Sequence, residues 1–283
     1  AQLASLPEIP GIAVTDHQVP GFDGAPELLV RVYAPENATG ELPGLLWIHG
    51  GGYVIGNVQQ DDFRCKGLAR SCGCVVASVE YRLAPETPHP GPLNDCYAGL
   101  LWLAERAQDL GVDRGRIAIG GASAGGGLAA GLGLLARDRG EVDVAYQLLI
   151  YPMIDDSNVA PASDTLADTL VWTRESNLIG WRSLLGQEPG SADVSMYAAT
   201  SRATDLAGLP PTYISVGDID LFAAEDITYA QRLVAAGVPT ELHVYPGGYH
   251  AFDGFAAMSG LAQQFVQDRD AALRRALGSS PVA

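Results

Sequence analysis

Basic residues are scarce in this sequence. The 17 Lys and Arg stand against 33 Asp and Glu, a formal charge of −16. Phosphate backbones and anionic lipid surfaces are bound by basic faces, so nucleic acid and membrane are excluded as expected partners. The acidic excess reads as a source of solubility rather than as a sign of a cationic substrate. Cysteine is scarce as well. Cys65, Cys72, Cys74 and Cys96 are too few to staple a disulfide scaffold in a chain of 283 residues. Cys72 and Cys74 make a C-x-C with no second cysteine pair and no nearby histidine pair, so no metal site is expected. Buried thiols are the expectation, with a single disulfide left open. No stretch reaches the roughly 18–20 apolar residues of a membrane span. The opening Ala-Gln-Leu-Ala has neither the basic start nor the apolar run of a signal peptide. A soluble, cytoplasmic protein is the resulting expectation. Internal repeats and low-complexity linkers are also missing.

What is present is core material and punctuation. Hydrophobic residues make up 47% of the chain, with 34 Gly and 18 Pro, a composition suited to many strand–loop–helix junctions. Strand-like runs cover Leu28–Tyr33, Gly44–His49, Val75–Tyr81, Arg116–Gly120, Tyr146–Tyr151, Thr212–Val216 and Glu241–Tyr245. Helical patterns cover Asn94–Gln108, with Asn94 or Asp95 as N-cap, then Ala124–Arg137, Asp226–Ala236 and Leu261–Ala276. The alternation predicts an α/β fold in one domain over residues 1–283, a mostly parallel sheet with helices on both faces. The stretch from 161 to 186, carrying Trp172 and Trp181, breaks the rhythm and is predicted to be a small helical lid.

Two motifs carry chemistry. Gly121-Ala122-Ser123-Ala124-Gly125 is a G-x-S-x-G between a predicted strand and a predicted helix. That setting allows a strained turn to lift the Ser123 hydroxyl off the sheet as a nucleophile, at a helix N-terminus whose partial positive charge suits a developing oxyanion. Upstream, His49-Gly50-Gly51-Gly52 follows a buried-strand run. Consecutive glycines leave N–H groups unshielded and free to converge on one point, as an acyl-transfer transition state requires. A phosphate-binding loop is excluded because no lysine follows in the G-x-x-x-x-G-K pattern. His49 is read as a brace of this loop. Of the remaining histidines, His243 alternates within a strand, whereas His250 lies in a loop past the last strand and takes the role of base. The acid falls in Val216-Gly-Asp-Ile-Asp-Leu-Phe222, where spacing leaves Asp218 and Asp220 both open.

Together these residues resemble the hormone-sensitive-lipase-like family of microbial carboxylesterases, members of the α/β-hydrolase superfamily. The likeness runs from about Leu28 to His250. It includes HGGGY at 49–53, YRLAPE at 81–86, GASAGG at 121–126, DIDLF at 218–222 and the Tyr249-His250-Ala-Phe loop. The resemblance implies an α/β-hydrolase fold and a serine esterase that needs no cofactor. Its triad would be Ser123, Asp220 and His250, which selects Asp220 over Asp218. It suggests backbone oxyanion donors from Gly51, Gly52 and Ala124, bracing roles for Arg82 and Glu86, small-molecule esters of short to medium acyl chain as substrates, and a homodimer. The same triad would serve an amidase, lactonase or acyltransferase, and a non-catalytic binding fold or an interfacial lipase are further readings. Two departures stand out. Ala122 replaces the aspartate more often found before the serine, which removes a side-chain hydrogen bond near the oxyanion loop. The N-terminal arm, residues 1–26, is short, which predicts a reduced lid.

Overall fold

The computed structural model describes residues 8–159 and 170–282. Among them eight strands form one sheet: β1 (Ile12–Val19), β2 (Leu28–Pro35), β3 (Leu42–Ile48), β4 (Val75–Val79), β5 (Val112–Ala122), β6 (Tyr146–Ile150), β7 (Thr212–Gly217) and β8 (Thr240–Tyr245). Their spatial order is β1-β2-β4-β3-β5-β6-β7-β8. β1, β2 and β4 pair antiparallel, and everything from β4 through β3 to β8 is parallel. This is the α/β-hydrolase architecture expected above.

The helices are α1 (Asp62–Cys72), α2 (Gly91–Glu105), α3 (Ala124–Arg139), α4 (Arg174–Leu185), α5 (Ala223–Ala235), α6 (Phe252–Phe255) and α7 (Gly260–Leu277). The period of two along the strands splits the core into two layers. Leu46, Ile48, Ile117, Ile119 and Leu149 point to the face covered by α2, α3 and α5. Leu45, Trp47, Ala118, Leu148 and Ile150 point to the face covered by α1 and α7. Burial on both faces is why β3, β4 and β6 read as nearly continuous apolar runs.

Several elements differ from the sequence expectation, β5 and α5 by early starts at Val112 and Ala223. α2 begins at Gly91, three residues before the expected start, and its N-cap is Pro90 rather than Asn94 or Asp95. A proline at the second helical position is tolerated because its missing N–H has no intrahelical partner there. Asp95 is spent on Arg82 instead, accepting from its N–H, Nε and Nη2 at 2.9, 2.8 and 2.7 Å. α1 escapes an apolar-periodicity reading because its inward positions, Cys65, Leu68, Ala69 and Cys72, are mostly small or weakly apolar. β1 lies in the stretch assigned to an N-terminal arm; as an edge strand it buries only its ends, Ile12 and Val19. Residues 1–7 of that arm and 161–169 of the expected lid lie outside the described residues. The remainder of the lid stretch holds α4, whose Trp181 is fully buried beside Tyr53, ring centroids 5.4 Å apart.

All four cysteines are free and buried, the pairing left open above being absent. Among the described residues no helix is long and apolar enough to cross a membrane, and no group of three His, Cys, Asp or Glu side chains is arranged to hold a metal ion.

Candidate active site

Ser123 sits between the last residue of β5 and the first of α3, at φ 58° and ψ −122°. A side-chain-bearing residue rarely occupies such a conformation, and here the surroundings enforce it. Its N–H donates to the Ile150 carbonyl at 2.9 Å, and its own carbonyl accepts from Gly127 and Met153, both at 3.0 Å. The flanking glycines are demanded by contact. A Cβ on Gly121 would lie 2.3 Å from the Gly125 oxygen, and one on Gly125 would lie 2.1 Å from the Ile48 oxygen. Strand β3, the turn and the start of α3 are thus packed backbone against backbone.

The loops after β7 and β8 complete the cluster. His250 Nε2 lies 2.9 Å from Ser123 Oγ, and His250 Nδ1 lies 2.9 Å from Asp220 Oδ2. An ionised carboxylate only accepts, so Nδ1–H donates to Asp220 and Nε2 is left to accept from the serine hydroxyl. Asp220 Oδ1 is held by the Phe222 N–H at 3.0 Å. All three side chains are buried. Asp218 is exposed and does different work. Its Oδ1 accepts from the Gly247 N–H at 2.7 Å, tying the loop that carries His250 to β7.

The glycine loop lies directly against this turn: a Cβ on Gly50 would be 2.9 Å from the Ala122 oxygen and 3.4 Å from Ser123 Cβ. Gly51 and Gly52 have φ of 126° and 59°, values that favour glycine. Among the described residues, the N–H groups of Gly51, Gly52 and Ala124 donate to no other protein group. His49 braces the loop, as expected. Its Nδ1 donates to the Gly50 carbonyl at 2.8 Å, its ring stacks on Tyr81 at 4.2 Å, and the Tyr81 hydroxyl donates to the His49 carbonyl at 3.0 Å. Burial pulls the His49 imidazole below its ordinary pKa and keeps it neutral. Ala122 offers no side-chain hydrogen bond to this loop. Gln60 Nε2 reaches the Gly50 carbonyl at 3.0 Å, a brace that no sequence motif announced.

Other supports also lay outside the motifs. Glu225 accepts from the Ile154 and Asp155 N–H groups at 2.9 and 3.2 Å and from Asn158 Nδ2 at 2.7 Å. It thereby fixes the segment whose Met153 carbonyl accepts from the Tyr53 hydroxyl at 2.8 Å. Burial pushes the Glu225 carboxyl up despite these donors. Trp172 covers the glycine loop: a Cβ on Gly52 would come within 2.0 Å of its ring. Its indole N–H donates to Asn177 Oδ1 at 3.1 Å. Arg82 is a structural brace through Asp95, and Glu86 is exposed.

Residues 45–254 match the profile of a family described by its alpha/beta hydrolase fold. The chain is 35% identical over 283 residues to carboxylesterase NlhH of Mycobacterium tuberculosis, covering 98% of this chain and 87% of that protein. It is also 35% identical over 274 residues to esterase LipI of the same organism, covering 96% and 85%. A solved structure of a bacterial heroin esterase superposes with a TM-score of 0.91 at 46% identity, covering 98% of this chain and 87% of that one. With a family profile over residues 45–254 and sequence and structural relatives over nearly its whole length in agreement, the chain belongs to the α/β-hydrolase family, in its hormone-sensitive-lipase-like branch.

Proposed function

We propose that this protein is a serine carboxylesterase that cleaves short- to medium-chain acyl esters in two steps through an acyl-enzyme. The observation that carries the reading is the buried chain Ser123 Oγ–His250 Nε2 and His250 Nδ1–Asp220 Oδ2, each link 2.9 Å, set beside a glycine loop where the Gly51 and Gly52 N–H groups meet no protein acceptor among the described residues. The esterases to which the chain is similar support it.

In the first step His250 takes the hydroxyl proton as Ser123 attacks the ester carbonyl. The N–H groups of Gly51, Gly52 and Ala124 stabilise the oxyanion, aided by the N-terminus of α3. Asp220 holds the imidazole in the tautomer that leaves Nε2 free and stabilises the imidazolium that forms. His250 then protonates the departing alcohol. A water molecule, deprotonated by the same imidazole, releases the acid from Ser123. Trp172, packed on Gly52 beside the glycine loop, supports a preference for shorter acyl chains.

Ser123→Ala is expected to lower turnover of p-nitrophenyl butyrate by about 10⁴-fold or more with the thermal midpoint little changed. Full turnover in that variant would overturn the mechanism. A series from acetyl to palmitoyl esters reads the chain length, and anilides and lactones run alongside separate an esterase from an amidase or lactonase. Four buried free thiols favour a reducing, cytoplasmic setting. The open edge of β8, with Val244 exposed, supports a homodimer, which light scattering would read.

A further inference from the structure

The side chains behind His250 form a unit that the acyl-transfer steps do not use. The imidazole is clamped between two ring edges: Tyr151 at 4.9 Å and 65°, and Phe222 at 5.0 Å and 89°. Tyr151, the residue after β6, has φ 35°, a conformation in the left-handed region, and its N–H donates to the Ser215 carbonyl at 2.6 Å. Its hydroxyl donates to Asp253 Oδ1 at 2.8 Å. Asp253 lies three residues beyond the base, after a turn in which Ala251 has φ 58°, and is almost wholly buried. Its second oxygen meets Arg64 Nη1 of α1 at 3.0 Å. Arg64 is anchored in turn. Its guanidinium lies 5.7 Å over the Trp47 ring and 3.8 Å from Asp61, and Asp61 accepts from the Trp47 indole N–H at 2.7 Å.

We propose that Tyr151, Asp253 and Arg64 are positioning residues for the base. They pin the His250 loop from the face of the sheet that α1 covers and set the imidazole's distance to Ser123. A neutral ion pair with a tyrosine ring between it and the imidazole takes no proton in the reaction; it acts through geometry. Its loss therefore falls on turnover rather than on substrate binding, because the imidazole works only in the proton-transfer steps.

This inference rests on His250 being the base, and the test separates the two. Turnover per active site is measured after titrating Ser123 with a fluorophosphonate, together with KM and the low-field proton resonance of the His250–Asp220 hydrogen bond. Asp253→Asn is expected to lower kcat about 10- to 100-fold with KM within about twofold, and to shift or broaden the low-field resonance. Tyr151→Phe keeps the ring and the fold, loses only the hydroxyl, and is expected to lower kcat about 10-fold. The pair Arg64→Met with Asp253→Asn should be less destabilised than either single variant, since the double removes both charges of the Arg64–Asp253 pair together. Unchanged kcat per titrated site and an unmoved resonance in Tyr151→Phe and Asp253→Asn, with only the thermal midpoint lowered, would overturn the proposal. His250→Ala in the same assay keeps the readings apart: full turnover there removes the base assignment itself. Collapse there with unchanged Asp253→Asn removes only the positioning unit.

Discussion

Around Ser123 the chain packs backbone against backbone, whereas around His250 it packs rings, hydroxyls and an ion pair. On the nucleophile side a single added carbon at Gly121 or Gly125 meets a peptide oxygen at 2.3 or 2.1 Å. On the base side the imidazole is held by Tyr151, Phe222 and Asp220, and the loop behind it by Asp253 and Arg64. The difference teaches how each group is made accurate. A nucleophile that must sit at one strained φ/ψ is best fixed by a backbone with no room to relax. A base that exchanges a proton between two partners is oriented by contacts at its ring edges and its Nδ1.

The largest effect that would sharpen this contrast is at the acid. Asp220→Asn is expected to lower turnover by about 10⁴-fold by admitting the wrong imidazole tautomer. Asp218→Asn, two residues away, should change it less than about threefold, since its carboxylate only ties Gly247. Comparable losses in both would mean that the acid is misassigned. Next come paired glycine changes. Gly125→Ala drives a carbon into the Ile48 and His49 carbonyls, and overpacking of this kind should cost about 2–3 kcal/mol of stability along with most activity. Gly254→Ala, in the short helix after His250, meets nothing within 4 Å and should be neutral to within about 0.5 kcal/mol. If thermal melts rank the two variants equally, the backbone-versus-side-chain distinction fails.

The smallest effect concerns Asp226 of α5, buried beside the acid's loop, whose two carboxyl oxygens have no hydrogen-bond partner among the described residues. Burial first, then Glu225 and Asp220, push its carboxyl well above the ordinary range. The folded state therefore holds a proton that the unfolded chain releases near its usual carboxyl pKa. Stability from this group is complete below that value and is lost as pH rises through the raised folded value. Asp226→Asn keeps the shape and removes the titration. Its thermal midpoint should exceed the parent's by about 2–4 °C at alkaline pH, the shift that roughly 1 kcal/mol gives a domain of this size, with the gap closing near pH 4. A gap that does not change with pH would show that Asp226 carries no such proton.

Much of the sheet was legible because period-two and continuous apolar runs report burial directly. β1 and α1 were not. An edge strand buries little, and a helix whose inward face is Cys65, Leu68, Ala69 and Cys72 carries a weak periodic signal. The start of α2 was displaced because Asn94 and Asp95 look like caps until Arg82 is seen to claim Asp95.

The candidate site divides along the same line as the two regions compared above. G-x-S-x-G and HGGG are local statements. They name the positions where φ is positive or where backbones nearly touch, and glycine is the residue that allows both, so sequence alone determined the strained turn at Ser123 and the glycine loop beside it. It also pointed to a histidine past the last strand as the residue to face them, and from β5 to β8 chain order does follow strand order. Only the tertiary structure decided what surrounds the base. Spacing left Asp218 and Asp220 open, and the structure brings Asp220 to the imidazole while Asp218 ties Gly247. Tyr151 and Asp253, 102 positions apart, become neighbours only through the sheet. Side-chain contacts of that range obey no period, so they leave no local mark in the sequence.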